Sequence, residues 1–130
     1  ASLSGVDVKL MIPEKADHRI VHHATFSYMG ELLQAGVTCY TYNRGFLHSK
    51  MIVSDGVIAS VGSANFDMRS FEHNFEINAF IYDQEVVKKL EDTFIQDMKY
   101  CNELTLEKYN KRSLLDKTEE SLSRLLAPLL

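Results

Sequence analysis

The sequence predicts an α/β fold in which a mixed β-sheet is flanked by helices. Short runs with alternating apolar and polar residues recur along the chain, and longer stretches carry apolar residues at helical spacing. The first of these segments follow the order strand, helix, strand, which is typical of α/β folds. The chain has 130 residues, of which 45% are hydrophobic and 25% charged, so its size and composition suit one globular domain with its own core.

The N-terminal part of the chain predicts a βαβ unit. Residues 5–13 alternate in polarity and read as a strand that ends at a proline. Asp17 is the predicted N-cap of a helix that runs to about Ala35, and Gly36 suits the C-terminal cap of that helix. Val37–Tyr42 is a second strand. The order strand, helix, strand implies a right-handed crossover and a parallel pair.

The middle of the chain predicts a β-hairpin, a further strand and a helix. Two apolar runs, 46–53 and 57–61, flank the turn 54–56, and its Asp-Gly pair is a strong hairpin signal. Glu76–Tyr82 is predicted to be another strand. Gln84–Cys101 has apolar residues on one helical face and is predicted to be a helix.

A last helix is predicted from about Ser113, and we expect its apolar stripe to pack on the rest of the domain. Contact of the stripe with a membrane surface is the alternative. The acidic residues interspersed with the stripe favour packing within the protein. The stripe consists of Leu115, Leu122, Leu125, Leu126 and Leu129.

Composition also limits the class of function. The formal net charge is −4, which counts modestly against nucleic acid as a partner. Cys39 and Cys101 lack CxxC spacing and are expected to be reduced, buried thiols. His18 and His22 are four residues apart, but no third ligand is evident, so no metal site is predicted. No apolar run is long enough to cross a bilayer, and the abrupt start at a strand indicates a soluble piece of a longer protein.

The residues able to do chemistry lie in and around the predicted hairpin. If the hairpin turns about Asp55 and Gly56, position 48 lies opposite 63, and position 50 lies opposite 61. Four polar side chains would then project from the same face, whereas a shift of one residue would separate them. Those four are His48, Lys50, Ser63 and Asn65.

This combination of groups suits an anionic phosphoester. A histidine can attack phosphorus or pass a proton to a leaving oxygen. Lys50 and Asn65 can hold the non-bridging oxygens as charge develops, and such a site needs no metal. Glu76 could orient the imidazole and stabilise its charged form. Asp55 lies in the turn, and we expect it to hold structure without touching substrate.

The spacing H-x-K-x4-D-x6-G-S-x-N is the signature of the phospholipase D superfamily, and this chain resembles that superfamily. The segments GVDVKLMIP, GELLQAGVTCYTYNRGFLHSK, SANFDMRSFEHNFEIN and LLAPLL look like bacterial cardiolipin synthases. The resemblance implies that residues 4–112 form the second phospholipase D-like catalytic domain of such an enzyme, with 113–130 as a helical tail packed on it. The residues that match the signature are His48, Lys50, Asp55, Gly62, Ser63 and Asn65, with Glu76 where the superfamily often pairs a glutamate with the histidine.

The resemblance implies a two-copy active site. Each half supplies one histidine; one forms a phosphohistidine, and the other protonates the leaving alcohol and activates the incoming one. The histidine of the first half is usually taken as the nucleophile, which would make His48 the acid and base, but the sequence leaves that assignment open. Two phosphatidylglycerol molecules would be joined with release of glycerol, without a metal or another cofactor.

The implied partners are phosphatidylglycerol, an N-terminal phospholipase D-like half of the same parent chain, and the cell membrane through that parent. The catalytic region of the parent is expected to face the cytoplasm, with no nucleic acid bound. Arg44 and Arg69 flank the motif and are expected to help Lys50 and Asn65 hold lipid phosphate, with an ion pair to Asp67 as the alternative. The open alternatives are a phospholipid hydrolase or nuclease, a dimer with paired motifs, and an isolated half without activity.

Overall fold

The computed structural model describes residues 1–15 and 18–127. The chain divides into two compact units, residues 1–47 with the residues from 100 onward, and residues 48–99. After a short 3₁₀ helix at Ser2–Ser4, the elements in chain order are β1 (Lys9–Pro13), α1 (Arg19–Gln34), β2 (Thr38–Tyr42), β3 (Met51–Ser54), β4 (Ile58–Gly62), α2 (Met68–Glu72), β5 (Asn78–Ile81), α3 (Gln84–Met98), β6 (Cys101–Leu104), α4 (Leu106–Asn110) and α5 (Leu114–Leu126).

The predicted α/β class is confirmed, but the strands form two small sheets. The first unit holds the order β1-β2-β6, in which β1 and β2 are parallel, as predicted, and β6 is antiparallel to β2. The second unit holds the order β3-β4-β5, and both of its pairings are antiparallel. The first sheet is therefore mixed, and the second is an antiparallel meander.

The core of the first unit lies between its sheet and α1. Ile12, Met29, Val37 and Cys39 are buried together, and Cys39 is a free thiol, as predicted. Cys101 is only half-buried, so the prediction that it is a buried thiol is wrong. The N-cap position of α1 is His18, which makes no side-chain capping bond. The predicted N-cap residue at position 17 lies outside the described residues. The predicted C-terminal glycine at position 36 does follow the helix, with φ of +86°.

Helix α3 covers one face of the sheet in the second unit. Val87 on α3 and Ala59 on β4 are almost completely buried, and Asp83 caps the helix by accepting a hydrogen bond from the Val86 N–H. The helix ends at Met98, so the prediction that it runs to Cys101 is wrong. Cys101 instead begins β6, because its backbone pairs with β2.

The hairpin turn is confirmed, and its geometry explains an error in the predicted pairing. Asp55 and Gly56 both have positive φ, of 52° and 64°. The Val57 N–H closes the turn by donating to the Ser54 carbonyl over 3.0 Å. Ser54 nevertheless pairs with Ile58, so Val57 is an extra residue in the turn before β4.

This extra residue shifts the pairing of β3 and β4 by one position. Val61 lies opposite Met51, whereas the sequence predicted Val61 opposite Lys50 and Ser63 opposite His48. That predicted register is wrong. Because side chains alternate between faces along a strand, the register does not place Ser63 on the same face as Lys50. Another structural feature has to bring the motif residues together.

Helix α5 packs on α1 through polar side chains, contrary to the prediction. Glu120 and Ser123 are buried, and Arg124 pairs with Glu31 of α1 over 2.6 Å. The leucine stripe faces outward, with Leu115 and Leu122 exposed by 77% and 60%. The polar side packs because it finds charged partners on neighbouring elements. Position 129 of the stripe lies outside the described residues.

Candidate active site

His48 and Lys50 lie just before β3, so the prediction that they lie on a strand is wrong. Their partner strand β4 ends at Gly62, so no β4 residue lies opposite the chain before Lys50. The Gly62 N–H donates to the Lys50 carbonyl over 3.2 Å, which fixes the Lys50 backbone at the end of the ladder. The His48 side chain is exposed, and Lys50 is half-buried.

Gly62 marks a close approach between β4 and β5. A Cβ atom at this position would lie 2.2 Å from both the Ile77 carbonyl oxygen and Asn78 Oδ1. Asn78 uses the space by accepting from the Ala64 N–H over 3.2 Å and donating to Ser60 Oγ over 3.2 Å. The glycine of the motif therefore lets β5 lie tightly against the start of the loop that carries Ser63.

At Ser63 the regular backbone hydrogen bonding between β4 and β5 ends, and hydrogen bonds of the Ser63 side chain continue the contact. The Ser63 N–H donates to the Ile77 carbonyl over 3.0 Å, as in a sheet. The Ile77 N–H donates in turn to Ser63 Oγ over 3.0 Å. The Ser63 hydroxyl then donates to Glu76 Oε2 over 2.5 Å. The motif serine is thus bonded to the predicted glutamate across the β4–β5 pairing.

The Glu76 carboxylate is the centre of a hydrogen-bond network. Its second oxygen, Oε1, accepts from Ser70 Oγ and from Asn74 Nδ2, each over 3.1 Å. The pKa of Glu76 is lowered, chiefly by the hydrogen bond from Ser63, then by those from Asn74 and Ser70, with a smaller contribution from the Lys50 ammonium. The carboxylate is therefore held in its charged form, as a group that orients a cationic imidazole must be.

Helix α2 brings a residue into this network that the sequence analysis did not identify. Asp67 caps the helix by accepting from the Ser70 N–H over 2.7 Å. This bond turns the Ser70 side chain inward, where it is only 5% exposed. Ser70 Oγ accepts from the Asn65 N–H over 3.2 Å and donates to Glu76. Asp67, a residue type favoured at N-cap positions, is the sequence signal for a helix start here.

The two arginines predicted to hold phosphate belong to different units. Arg69 is exposed on α2, and its Nε donates to Asn74 Oδ1 over 3.3 Å. Arg44 belongs to the first unit, where its guanidinium lies 4.3 Å from the centre of the Tyr100 ring. Asn74 therefore links Arg69 to Glu76. The assignment of both arginines to phosphate stays a prediction.

A separate set of charged groups lines a small pocket of the first unit. The Arg112 guanidinium donates to both oxygens of Glu120 over 2.6 and 2.5 Å. Burial raises the pKa of Glu120, and the charge of Arg112 partly offsets that effect. Within the described part of the chain, no group of three or more histidine, cysteine or acidic side chains is placed to hold a metal ion. The remaining lining residues are His22, His23, Phe26 and Asp116.

The fold is that of the phospholipase D family. The crystal structure of Nuc, a phospholipase D family member from Salmonella typhimurium, superimposes with a TM-score of 0.68 over 78% of this chain and 66% of that one. The two sequences are 23% identical, so the likeness concerns the fold. No helix in the described ranges is both long and apolar enough to cross a bilayer.

The sequence places the chain more narrowly within that class. Residues 1–98 match the family model described as cardiolipin synthase, phospholipase D-like domain. The chain belongs to this family, as its motif predicted.

Comparison with curated proteins supports the same family over the whole length of this chain. The chain is 55% identical over 130 residues to a cardiolipin synthase of Listeria monocytogenes, to the major cardiolipin synthase ClsA of Bacillus subtilis and to cardiolipin synthase 2 of Staphylococcus epidermidis. The match covers all of this chain and 27% of each relative. The relatives are therefore much longer proteins, and this chain corresponds to a part of them.

Proposed function

We propose that this chain is one catalytic half of a cardiolipin synthase, which transfers a phosphatidyl group between two phosphatidylglycerol molecules. The observation that carries the proposal is the Ser63–Glu76 hydrogen bond, which draws the two ends of the motif together across β4 and β5. The names of the relatives, all cardiolipin synthases at 55% identity, support the choice of a lipid substrate.

The proposed reaction has two displacements at phosphorus. A histidine attacks the phosphate of one phosphatidylglycerol, and the bond from phosphorus to the headgroup glycerol oxygen breaks. A second histidine gives its proton to that oxygen, and glycerol leaves. The free headgroup hydroxyl of a second phosphatidylglycerol then loses its proton to the second histidine and attacks the phosphorus of the phosphohistidine. The phosphorus–nitrogen bond breaks, and the first histidine is released. The products are one cardiolipin and one glycerol.

In this mechanism His48 is one of the two histidines, and we assign it the role of acid and base. Lys50 and Asn65 bind the non-bridging phosphate oxygens as negative charge develops. Arg44 and Arg69 add positive charge for the lipid phosphate. Ser63 and Glu76 hold the motif and favour the charged imidazole, whereas Asp55 acts through the turn it occupies.

The second histidine has to come from another copy of the motif. This chain has a single motif, and the relatives have about three quarters of their length outside the match. We therefore propose that the parent protein supplies the other half and attaches the pair to the cell membrane, with the catalytic region facing the cytoplasm.

The test measures turnover of phosphatidylglycerol by the chain alone and by the chain mixed with the remainder of its parent. We expect cardiolipin and glycerol only in the mixture, and none when the chain carries His48→Ala. Phosphatidic acid as the product would indicate a hydrolase instead. Cardiolipin made by the chain alone would mean that two copies of it assemble a complete site, and normal turnover with His48→Ala would refute the role of His48.

A further inference from the structure

The hydroxyl of Ser70 contacts two parts of the site that come from different segments. It accepts from the Asn65 N–H on the loop after β4 and donates to Glu76 Oε1 just before β5, at 3.2 and 3.1 Å. The Ser70 backbone is itself fixed, because its N–H donates to the capping carboxylate of Asp67 over 2.7 Å. With the side chain 5% exposed, water has little access to compete for these bonds.

We propose that Ser70 is a positioning residue that locks the Asn65 backbone and the Glu76 carboxylate into one arrangement. The proposal rests on the proposed function, in which Asn65 binds a phosphate oxygen and Glu76 favours the charged imidazole. A shift of either group would misplace the charges around phosphorus. Ser70 touches no reacting atom and acts through these two residues.

Asn74 also donates a hydrogen bond to Glu76 and therefore serves as a comparison for Ser70. Its Nδ2 donates to the same oxygen of Glu76 as Ser70 does, and at the same 3.1 Å distance. Asn74 also accepts a hydrogen bond from Arg69 Nε, whereas Ser70 also accepts one from the Asn65 N–H. Removal of either side chain takes one donor from Glu76. Removal of Ser70 also takes the acceptor from Asn65.

The two variants should therefore differ in a measurable way. Ser70→Ala and Asn74→Ala should each raise the pKa of Glu76, because each removes a hydrogen bond to its charged form. Ser70→Ala alone should also expose the Asn65 N–H, and its hydrogen exchange should become about fivefold to tenfold faster. The Lys50 ammonium, whose charge also lowers the pKa of Glu76, remains in both variants.

The experiment is an NMR study of the 130-residue chain. The Glu76 side-chain carbon is titrated, and exchange of the Asn65 N–H is followed, in the wild type, Ser70→Ala and Asn74→Ala. Ser121→Ala is the matched control, because it deletes an exposed hydroxyl that donates to a carbonyl of its own helix. In this control we expect the titration of Glu76 and the exchange rate of the Asn65 N–H to equal those of the wild type.

An unchanged Glu76 pKa in Ser70→Ala, or Asn65 exchange that speeds up equally in Asn74→Ala, would overturn the proposal. If Ser70→Ala unfolds the chain, Ser70→Cys, which keeps a weak donor of similar size, is measured in its place. The same two outcomes would then overturn the proposal, and the rise in the Glu76 pKa is expected to be smaller than for Ser70→Ala.

A second measurement uses the full-length parent. Ser70→Ala should lower kcat by about ten- to a hundredfold, since misplacement of catalytic groups has effects of that size. Ser121→Ala should leave kcat unchanged. An inactive wild-type parent would refute the proposed function. The NMR result would still decide whether Ser70 holds the Asn65 backbone and the Glu76 carboxylate in one arrangement. An active parent with kcat unaffected by Ser70→Ala would refute the positioning role.

Discussion

The Ser63 hydroxyl and the Glu76 carboxylate are joined by a 2.5 Å hydrogen bond, although 13 positions separate them in sequence. Strand pairing alone does not produce this contact. Gly62 lets β5 approach closely, and Ser63 then turns its hydroxyl toward Glu76 as the ladder ends. One tight crossing between two short strands thus joins the motif residues Gly62 and Ser63 to Glu76.

The first prediction concerns the close approach at Gly62. Gly62→Ala should destabilise the chain by about 1–3 kcal/mol, because the new Cβ would lie 2.2 Å from the Ile77 carbonyl oxygen just before β5. Urea unfolding measures this loss. Gly45→Ala is the comparison, since Gly45 has a φ of +148° but open space around its Cβ position, and it reports backbone strain without crowding. Equal stability of Gly62→Ala and the wild type would contradict the tight crossing.

A second prediction separates structure from chemistry at Asp55. Asp55→Asn should change the free energy of unfolding by less than about 0.5 kcal/mol, because asparagine tolerates the positive φ of 52° and can accept the hydrogen bond from Ser54. Asp55→Val should cost about 1–2 kcal/mol, since a β-branched residue is strained there. Both values come from chemical denaturation. A parent enzyme inactivated by Asp55→Asn with unchanged stability would show a chemical role.

The third prediction is the effect of pH on stability through Glu76. Its folded-state pKa is below the ordinary value of 4.5, chiefly because of the Ser63 hydrogen bond. The stabilisation by ionised Glu76 is therefore complete above that ordinary value and is lost as the pH falls through the lower folded-state pKa.

Glu76→Gln should remove this part of the acid sensitivity. The difference in unfolding free energy between pH 7 and pH 3 should be smaller in the variant than in the wild type. Ser121→Ala, which removes an exposed hydroxyl that does not titrate, is the control and should keep the wild-type difference. An identical pH dependence in Glu76→Gln and the wild type would mean that the network does not favour the ionised carboxylate.

The fourth prediction concerns α5, which packs on α1 through its polar side and not through its leucine stripe. Leu122→Gln should change the free energy of unfolding by less than about 0.5 kcal/mol, because Leu122 is 60% exposed. Glu120→Ala should cost about 3 kcal/mol, since it leaves the Arg112 guanidinium without its buried partner. Thermal and urea unfolding of the two variants measure both effects. A larger loss for Leu122→Gln than for Glu120→Ala would mean that the leucine stripe packs on the domain.

Much of the local structure was predictable from the sequence. The Asp55-Gly56 turn, the parallel β1–β2 pair and the glycine after α1 all follow from local preferences of the backbone. Two short helices, α2 and α4, and strand β6 were missed, because each has only four or five residues and little periodicity. The end of α3 was misjudged, because the pairing of Cys101 with β2 depends on a strand far away in sequence.

The residue types of the candidate site were also predictable, but their arrangement was not. The motif identified His48, Lys50 and the glutamate partner. The predicted face-sharing of Ser63 with Lys50 depended on a register that the extra residue Val57 shifted by one. Ser70 was missed, because only the folded chain places its hydroxyl between the Asn65 N–H and the Glu76 carboxylate.

The sequence by itself determined the family, the chemical groups available to the site and the position of the turn, because these depend on residue identity and on neighbours along the chain. Only the tertiary structure decided that Glu76 accepts from Ser63, Ser70 and Asn74, and that the leucines of α5 face outward. Both outcomes depend on which polar groups, among them the buried Ser70 and Glu120, find partners across distant segments. A buried polar group without a partner is costly, so the pairing of such groups selects between arrangements that local preferences leave equal.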